Sequence, residues 1–221
     1  FNRIFRQITG IPPNQFFYAL RLETAKRLLL TTNTSVTDVC FDVGYNSLGT
    51  FIRRFTGLVG LSPSRFRSLA RHATQSLSVP TASRFDLTAA ASAATISGRI
   101  TAPEWFAGTI FVGLFTTPIP QGAPISGTVI EQPGPYDVPS VADGVYYILA
   151  AGLARSKDFR EYFLYETTLR GGQPILIRNG IVEGSTDLSL RPPEAFDPPI
   201  LMTLPLLLNR SMNGSGGHTS V

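Results

Sequence analysis

The most regular hydrophobic pattern in the chain predicts two short helices joined by a tight turn. Apolar residues recur at the i, i+3, i+4, i+7 spacing of one helical face at Val36, Val39, Cys40 and Val43. Ser35 can cap this helix, with Asp38 completing a capping box. Gly44 can end it, because glycine tolerates the left-handed conformation that follows many helices. The next two residues, Tyr45 and Asn46, are then the turn.

The second predicted helix, capped by Ser47, has two chemically different faces. Its inward stripe consists of Leu48, Phe51, Ile52 and Phe55. Its opposite face carries Gly49, Thr50, Arg53 and Arg54. Small residues let a helix backbone approach base edges in the major groove of DNA, and arginine can bind guanine or a phosphate there. An ordinary helical hairpin with a solvated basic face shows the same periodicity, so periodicity leaves both interpretations open.

The residues themselves resemble the signature of the AraC/XylS family of bacterial transcription regulators. The matching positions are Val36, Asp38, Val43-Gly44-Tyr45, Ser47, Phe51, Arg53, Phe55, Gly60, Ser62-Pro63 and Phe66-Arg67. The resemblance covers about the first third of the chain. It implies two helix-turn-helix units joined by a long helix, each placing a recognition helix in the major groove of double-stranded DNA.

The first residues of the chain have the pattern of an amphipathic helix that begins without a cap. Phe1, Ile4, Phe5 and Ile8 form an apolar stripe with no cap before it. In the resemblance this stripe is the latter part of the first recognition helix, and the helices that should precede it are absent, so we expect an incomplete first unit. The pattern also predicts a long linker helix from Asn14 to Thr31 and a last helix from Ser64 to about Arg71, capped by Ser62.

Carried over residue by residue, the resemblance implies a set of DNA contacts. The positions that match the family's base-reading face are Asn2, Arg3, Leu48, Gly49, Thr50 and Arg53. The implied phosphate contacts are Arg6, Arg54, Arg65 and Arg67. RNA polymerase is an implied second partner, no cofactor is expected, and the expected location is cytoplasmic.

The distribution of charge supports a phosphate-binding role for the N-terminal segment. Residues 1–80 carry 10 basic and 3 acidic side chains, a net charge of +7, whereas the remainder carries 9 and 12, a net charge of −3. Such a confined basic excess is the electrostatic footprint of a nucleic-acid-binding module.

From Ile96 onward, short β-branched and aromatic runs alternate with glycine and proline. Eight strands are predicted in the runs ISGRI, GTIFVGLF, SGTVIE, YDVPSV, GVYYILAAG, EYFLYETTL, PILIRNG and STDLSLR. Tight hairpin turns are predicted at Asp143-Gly144 and Gly171-Gly172. The order of these runs resembles a prealbumin-like or carboxypeptidase-regulatory-like sandwich.

The predicted fold class is therefore multidomain, α then β: a partial double helix-turn-helix followed by an antiparallel β-sandwich. The predicted boundaries are 1–71 for the DNA-binding domain, 72–95 for a linker, 96–208 for the sandwich and 209–221 for a disordered tail.

No catalytic or metal-binding pattern is present. The two histidines, His72 and His218, lie in the predicted linker and tail, and the single cysteine lies on an inward helical stripe. The longest apolar run near the C-terminus, 200–208, is too short to span a membrane and contains Pro205. We therefore predict a non-enzymatic regulator whose sandwich senses a small molecule or contacts a protein. The alternative is a carbohydrate- or protein-binding sandwich that carries a remnant helix-turn-helix.

Overall fold

The structure, a computed structural model, describes residues 1–72, 84–86, 95–139, 141–156 and 161–205. Five helices come first: α1 (Asn2–Thr9), α2 (Pro13–Thr31), α3 (Val36–Asp42), α4 (Leu48–Val59) and α5 (Pro63–His72). The next five elements are strands: β1 (Arg84–Asp86), β2 (Thr95–Thr101), β3 (Gly108–Phe115), β4 (Ser126–Ile130) and β5 (Gly134–Pro139). The remaining elements are β6 (Gly144–Ala154), α6 (Glu161–Leu164), β7 (Leu169–Arg178), β8 (Ile181–Glu183) and β9 (Leu188–Ser189).

The predicted helix caps are confirmed. The Ser35 hydroxyl accepts a hydrogen bond from the Asp38 amide at 3.0 Å and donates one to the Asp38 carboxylate at 2.6 Å. The Ser47 oxygen accepts from the Thr50 amide at 3.4 Å. Gly44 adopts a φ of +80° after α3, so the helix-turn-helix geometry follows directly from the local sequence.

The β-region consists of two sheets that pack face to face. The larger has the order β1-β4-β3-β6-β7-β8, and the smaller has the order β5-β2-β9. Their shared core includes Ile96 and Val138 from the small sheet and Ile110, Ile148 and Ile175 from the large one. The α-then-β fold class is confirmed, although one described strand pair, β2 with β9, is parallel.

The prediction of a strand at EYFLYETTL is wrong. Residues 161–164 form the short helix α6, Tyr165 follows with a φ of +56°, and β7 begins only at Leu169. Phe163 is fully buried against Phe66 of α5, with ring centroids 5.7 Å apart. Tyr165 is fully buried in the cluster on the outer face of the large sheet. These tertiary contacts override the strand preference of the aromatic residues.

Both predicted hairpin turns are also wrong. Asp143-Gly144 connects the two sheets, since β5 pairs with β2 while β6 pairs with β3 and β7. Gly171-Gly172 lies within β7, opposite Ala150 and Leu149.

The tight turn in this region is Asn179-Gly180, between β7 and β8, where both residues have positive φ. The Asp143 carboxylate accepts hydrogen bonds from both turn amides, at 2.6 and 3.0 Å, and these bonds lower its pKa. Asp143, which was predicted to form a hairpin turn of its own, therefore stabilises the turn at Asn179-Gly180.

Two further predicted regions differ from the structure or lie outside it. The predicted linker, 72–95, contains β1, which pairs with β4, and ends at the first residue of β2. The predicted disordered tail, 209–221, lies outside the described residues.

A buried segment, residues 199–205, joins the helices to the large sheet. Ile200, Met202 and Leu204 face the apolar cluster on the outer surface of the large sheet, whereas Leu201 belongs to the helical core. The Thr203 amide and hydroxyl both donate to the carbonyl of Val59, at 3.1 and 3.0 Å. The helical region therefore shares its core with the sandwich through this segment.

Candidate nucleic-acid interface

The inner face of α4 is held by an aromatic core. Phe51, Phe55 and Val59 are fully buried, and Phe51 packs edge-on against Tyr45 with ring centroids 5.3 Å apart. Ile52 was predicted on this stripe, but it remains 37% exposed. One residue beyond Phe51, it points about 100° away around the helix, and aromatic rings already fill the inner face.

The outer face of α4 remains accessible. Gly49, Arg53 and Arg54 are exposed, and Thr50 and Leu48 are half-buried. The sandwich contacts the opposite end of the helix, where Leu58 accepts a hydrogen bond from the Gly122 amide at 2.7 Å. The structure therefore brings the small, polar and basic side chains of α4 together on one solvent-facing surface.

A stack of cations and aromatic rings fixes α4 relative to the long helix α2. The Arg54 guanidinium lies over the Tyr18 ring, 4.6 Å from its centroid. Arg21 lies over Tyr45 at 4.4 Å, and its Nε donates to the Val43 carbonyl at 2.5 Å. Sequence reasoning did not assign Arg21 a role, although a basic residue three positions after Tyr18 on one helical face was a usable signal.

The side chains of α1 are mostly exposed. Asn2, Arg3 and Arg6 are all exposed and line a cleft between α1 and the start of α2. No residue of α1 is buried; Phe5 alone contributes to the helical core, where it packs on Phe16 at 5.4 Å. Compared with α4, α1 is weakly anchored.

The two arginines predicted as phosphate contacts on α5 differ in environment. Arg65 is exposed, and its amide donates to the Ser62 hydroxyl oxygen at 3.4 Å, which confirms the Ser62 cap. The Arg67 guanidinium is half-buried and donates to the carbonyls of Leu29, at 3.1 Å, and Thr34, at 2.6 Å. These two bonds tie α5 to α2 and to the turn before α3.

Among the described residues there is no cluster of histidine, cysteine, aspartate or glutamate that could hold a metal ion. None of the described helices is long and apolar enough to cross a membrane.

Comparison with known proteins gives the N-terminal segment a family. Residues 1–68 match a family model described as a helix-turn-helix domain. They form an AraC-type helix-turn-helix domain. The match covers both α1 and α4, so the exposed surfaces of these two helices belong to the AraC-type domain.

Three relatives illustrate the similarity. The HTH-type transcriptional activator AarP of Providencia stuartii is 35% identical over 65 residues, 29% of this chain and 48% of the relative. The MmsAB operon regulatory protein of Pseudomonas aeruginosa is 40% identical over 67 residues, 30% of this chain and 22% of the relative. The melibiose operon regulatory protein of Escherichia coli K12 is 29% identical over 72 residues, 33% of this chain and 24% of the relative.

The chain thus spans about half or less of the length of these relatives. In each, the similarity is confined to a stretch about as long as the AraC-type domain.

Proposed function

We propose that this chain is a sequence-specific DNA-binding transcription regulator whose helix α4 enters the major groove. The observation that carries the proposal is the two-sided environment of α4. Phe51 and Phe55 lock its inner face into the core, while Gly49 and Arg53 remain exposed on the outer face. A recognition helix needs this combination of rigid support and a free face that admits base edges.

The proposed contacts divide into two chemical classes. The base-reading residues are Asn2 and Arg3 of α1 and Leu48, Gly49, Thr50 and Arg53 of α4. The phosphate contacts are Arg6, Arg54 and Arg65, which are all exposed. We assign Arg67 to the packing of α5, because its guanidinium already binds two backbone carbonyls.

The sandwich is proposed as a sensing or protein-contact domain, with RNA polymerase as one protein partner. Its direct hydrogen bonds to the C-terminal end of α4, from Thr203 and Gly122, support this role. A change in the sandwich would reach the recognition helix through a single layer of contacts.

The test is selection of binding sites from a randomised DNA library, followed by affinity measurements on single-base variants of the selected site. Replacing Arg53 with alanine should weaken binding by about 1–3 kcal/mol and relax specificity at one base position. The control is Arg65→Ala, at an exposed proposed phosphate contact on α5, which should weaken binding to all sequences alike and lower the salt dependence of binding by the equivalent of about one phosphate contact.

If Arg53→Ala lowers the affinity for every DNA sequence equally, Arg53 contacts a phosphate and does not read a base. If no sequence is enriched over random DNA, the regulator proposal fails. The alternative, a carbohydrate- or protein-binding sandwich with a remnant helix-turn-helix, would then be favoured.

A further inference from the structure

A cavity of about 530 Å³ lies on the outer face of the large sheet. Its floor is formed by strands β3, β6 and β7, and Ile200, Met202 and Leu204 of the buried segment 199–205 also line it. Ile8, Thr9 and Gly10, from the end of α1, form part of its rim. The volume falls within the usual range for small-molecule sites, about 300–1,000 Å³.

The walls of this cavity are largely apolar. The floor and walls include Phe111, Phe115, Tyr147 and Leu149. Gly172 lies on the floor beneath Leu149, where an added Cβ would lie 2.6 Å from the leucine side chain. Glycine at this position therefore lets Leu149 lie close to the sheet. A ligand for such a cavity needs an apolar body.

One end of the cavity is charged. Arg191 and Asp197 form a two-pronged ion pair there, with nitrogen–oxygen distances of 2.7 and 2.8 Å. Asp197 also accepts a hydrogen bond from the Glu194 amide at 2.7 Å, so its carboxylate is well satisfied. This pair leaves no net charge.

Arg170 also lines the cavity and carries a positive charge that is separate from the Arg191–Asp197 pair. Its guanidinium donates to the Pro198 carbonyl, while its Nε is buried and has no hydrogen-bond partner among the described residues. No described carboxylate forms an ion pair with it within 4.0 Å. Burial lowers the pKa of the guanidinium, and the charges of Asp197 and Glu23 act in the opposite direction. Arginine remains charged at neutral pH, so Arg170 places a positive charge on the lining of the cavity.

We propose that this cavity binds a small amphipathic monocarboxylate, with its apolar body against the outer face of the large sheet beside segment 199–205 and its carboxylate on Arg170. The proposal deepens the sensing role of the sandwich and rests on that part of the proposed function. Because the end of α1 lines the rim, an occupant would contact the first recognition helix directly.

The experiment compares octanoate with 1-octanol, which has the same chain length and no charge, by isothermal titration calorimetry on the full chain. Octanoate should bind at least about tenfold more tightly than octanol. Arg170→Gln should lower the octanoate affinity to the octanol level and leave octanol binding unchanged. Arg178→Gln is the matched control, since Arg178 is an exposed arginine on the same strand and should not affect either ligand.

A second variant keeps the test decisive if Arg170→Gln fails to fold. Leu149→Trp places an indole ring in the cavity in place of the smaller leucine side chain and should abolish binding of both ligands. Equal affinity of the wild-type chain for octanoate and octanol would overturn the carboxylate assignment, and no binding of either would overturn the site. Because ligand binding is measured without DNA, failure here is distinguishable from failure of the DNA selection.

Discussion

Lys26 is a buried cation where the helices meet the sandwich, and replacing it with methionine should change how stability depends on pH. Its side chain is 1% exposed, and Nζ donates to the Ile200 carbonyl at 2.9 Å. Nζ also lies over the Tyr165 ring, 4.4 Å from the centroid. Burial has the largest effect on the pKa of Lys26 and lowers it from 10.5 to about 7. The negative charge of Glu23 acts to raise this pKa, and the positive charge of Arg170 acts to lower it further.

The sign of the effect follows from proton binding. Below pH 7 the lysine is protonated in both the folded and the unfolded chain, and the folded state bears the full cost of burying the charge. Between about pH 7 and 10.5 the unfolded chain retains a proton that the folded chain has lost. The free energy of unfolding therefore rises with pH across this window, by at most about 1.4 kcal/mol per pH unit.

The magnitude follows from the same pKa values. The difference between 10.5 and about 7 corresponds to an upper limit of about 5 kcal/mol over the whole window. Lys26→Met fills the same space without a charge, and replacing buried charges with apolar groups often stabilises by about 1–4 kcal/mol. We expect the variant to be more stable than wild type near pH 6 and to lose that advantage by pH 10.

The assay is urea unfolding at a series of pH values for wild type and Lys26→Met. Burial also raises the pKa of Tyr165, but this residue is present in both chains, so its contribution largely cancels in the difference. Arg27→Met, at the exposed neighbouring position, is the control and should show no such pH dependence. A stability difference between wild type and Lys26→Met that is constant from pH 6 to 10 would refute the reasoning.

Three further predictions concern structural positions. Gly44→Ala should destabilise the chain by about 1–3 kcal/mol in urea unfolding, because alanine is strained at a φ of +80° and its Cβ would meet Arg21 at 2.9 Å. Leu201→Ala, at a fully buried position, should cost about 2–5 kcal/mol in the same measurement. The Asp143 carboxylate should stabilise the wild-type chain at pH values above its pKa in the unfolded chain, and this stabilisation should be lost as the pH falls through the lower pKa of the folded chain. Asp143→Ala should lack this pH dependence when unfolding is measured at a series of acidic pH values.

The helical half of the fold was largely predictable because its signals are local. Ser35, Ser47 and Ser62 cap the helices that their positions predict, and Gly44 ends α3. The outward face of α4 could be located from periodicity alone, once Phe51 and Phe55 were placed inward. The DNA contacts themselves remain predictions.

The sandwich was less predictable, because its errors concern long-range contacts. Tyr165 and Phe163 are of residue types common in strands, but Tyr165 packs on the outer face of the large sheet and Phe163 packs against Phe66, and neither is paired in a sheet. The sequence pattern predicts no strand or helix for the apolar run from Ile200, whereas this run packs between the sheet and the helices. Nothing local to these residues indicates which distant surface will cover them.

The bond between Lys26 and Ile200 joins residues 174 positions apart. At about 5–20 residues per second, a ribosome needs roughly 10–35 s to travel from the first partner to the second. During that interval the newly synthesised helices lack segment 199–205, whose Leu201 belongs to their hydrophobic core. A chain truncated before Ile200 would therefore expose apolar residues of the helical core, which chaperones and proteases recognise. Synthesis past residue 205 supplies the segment that covers them.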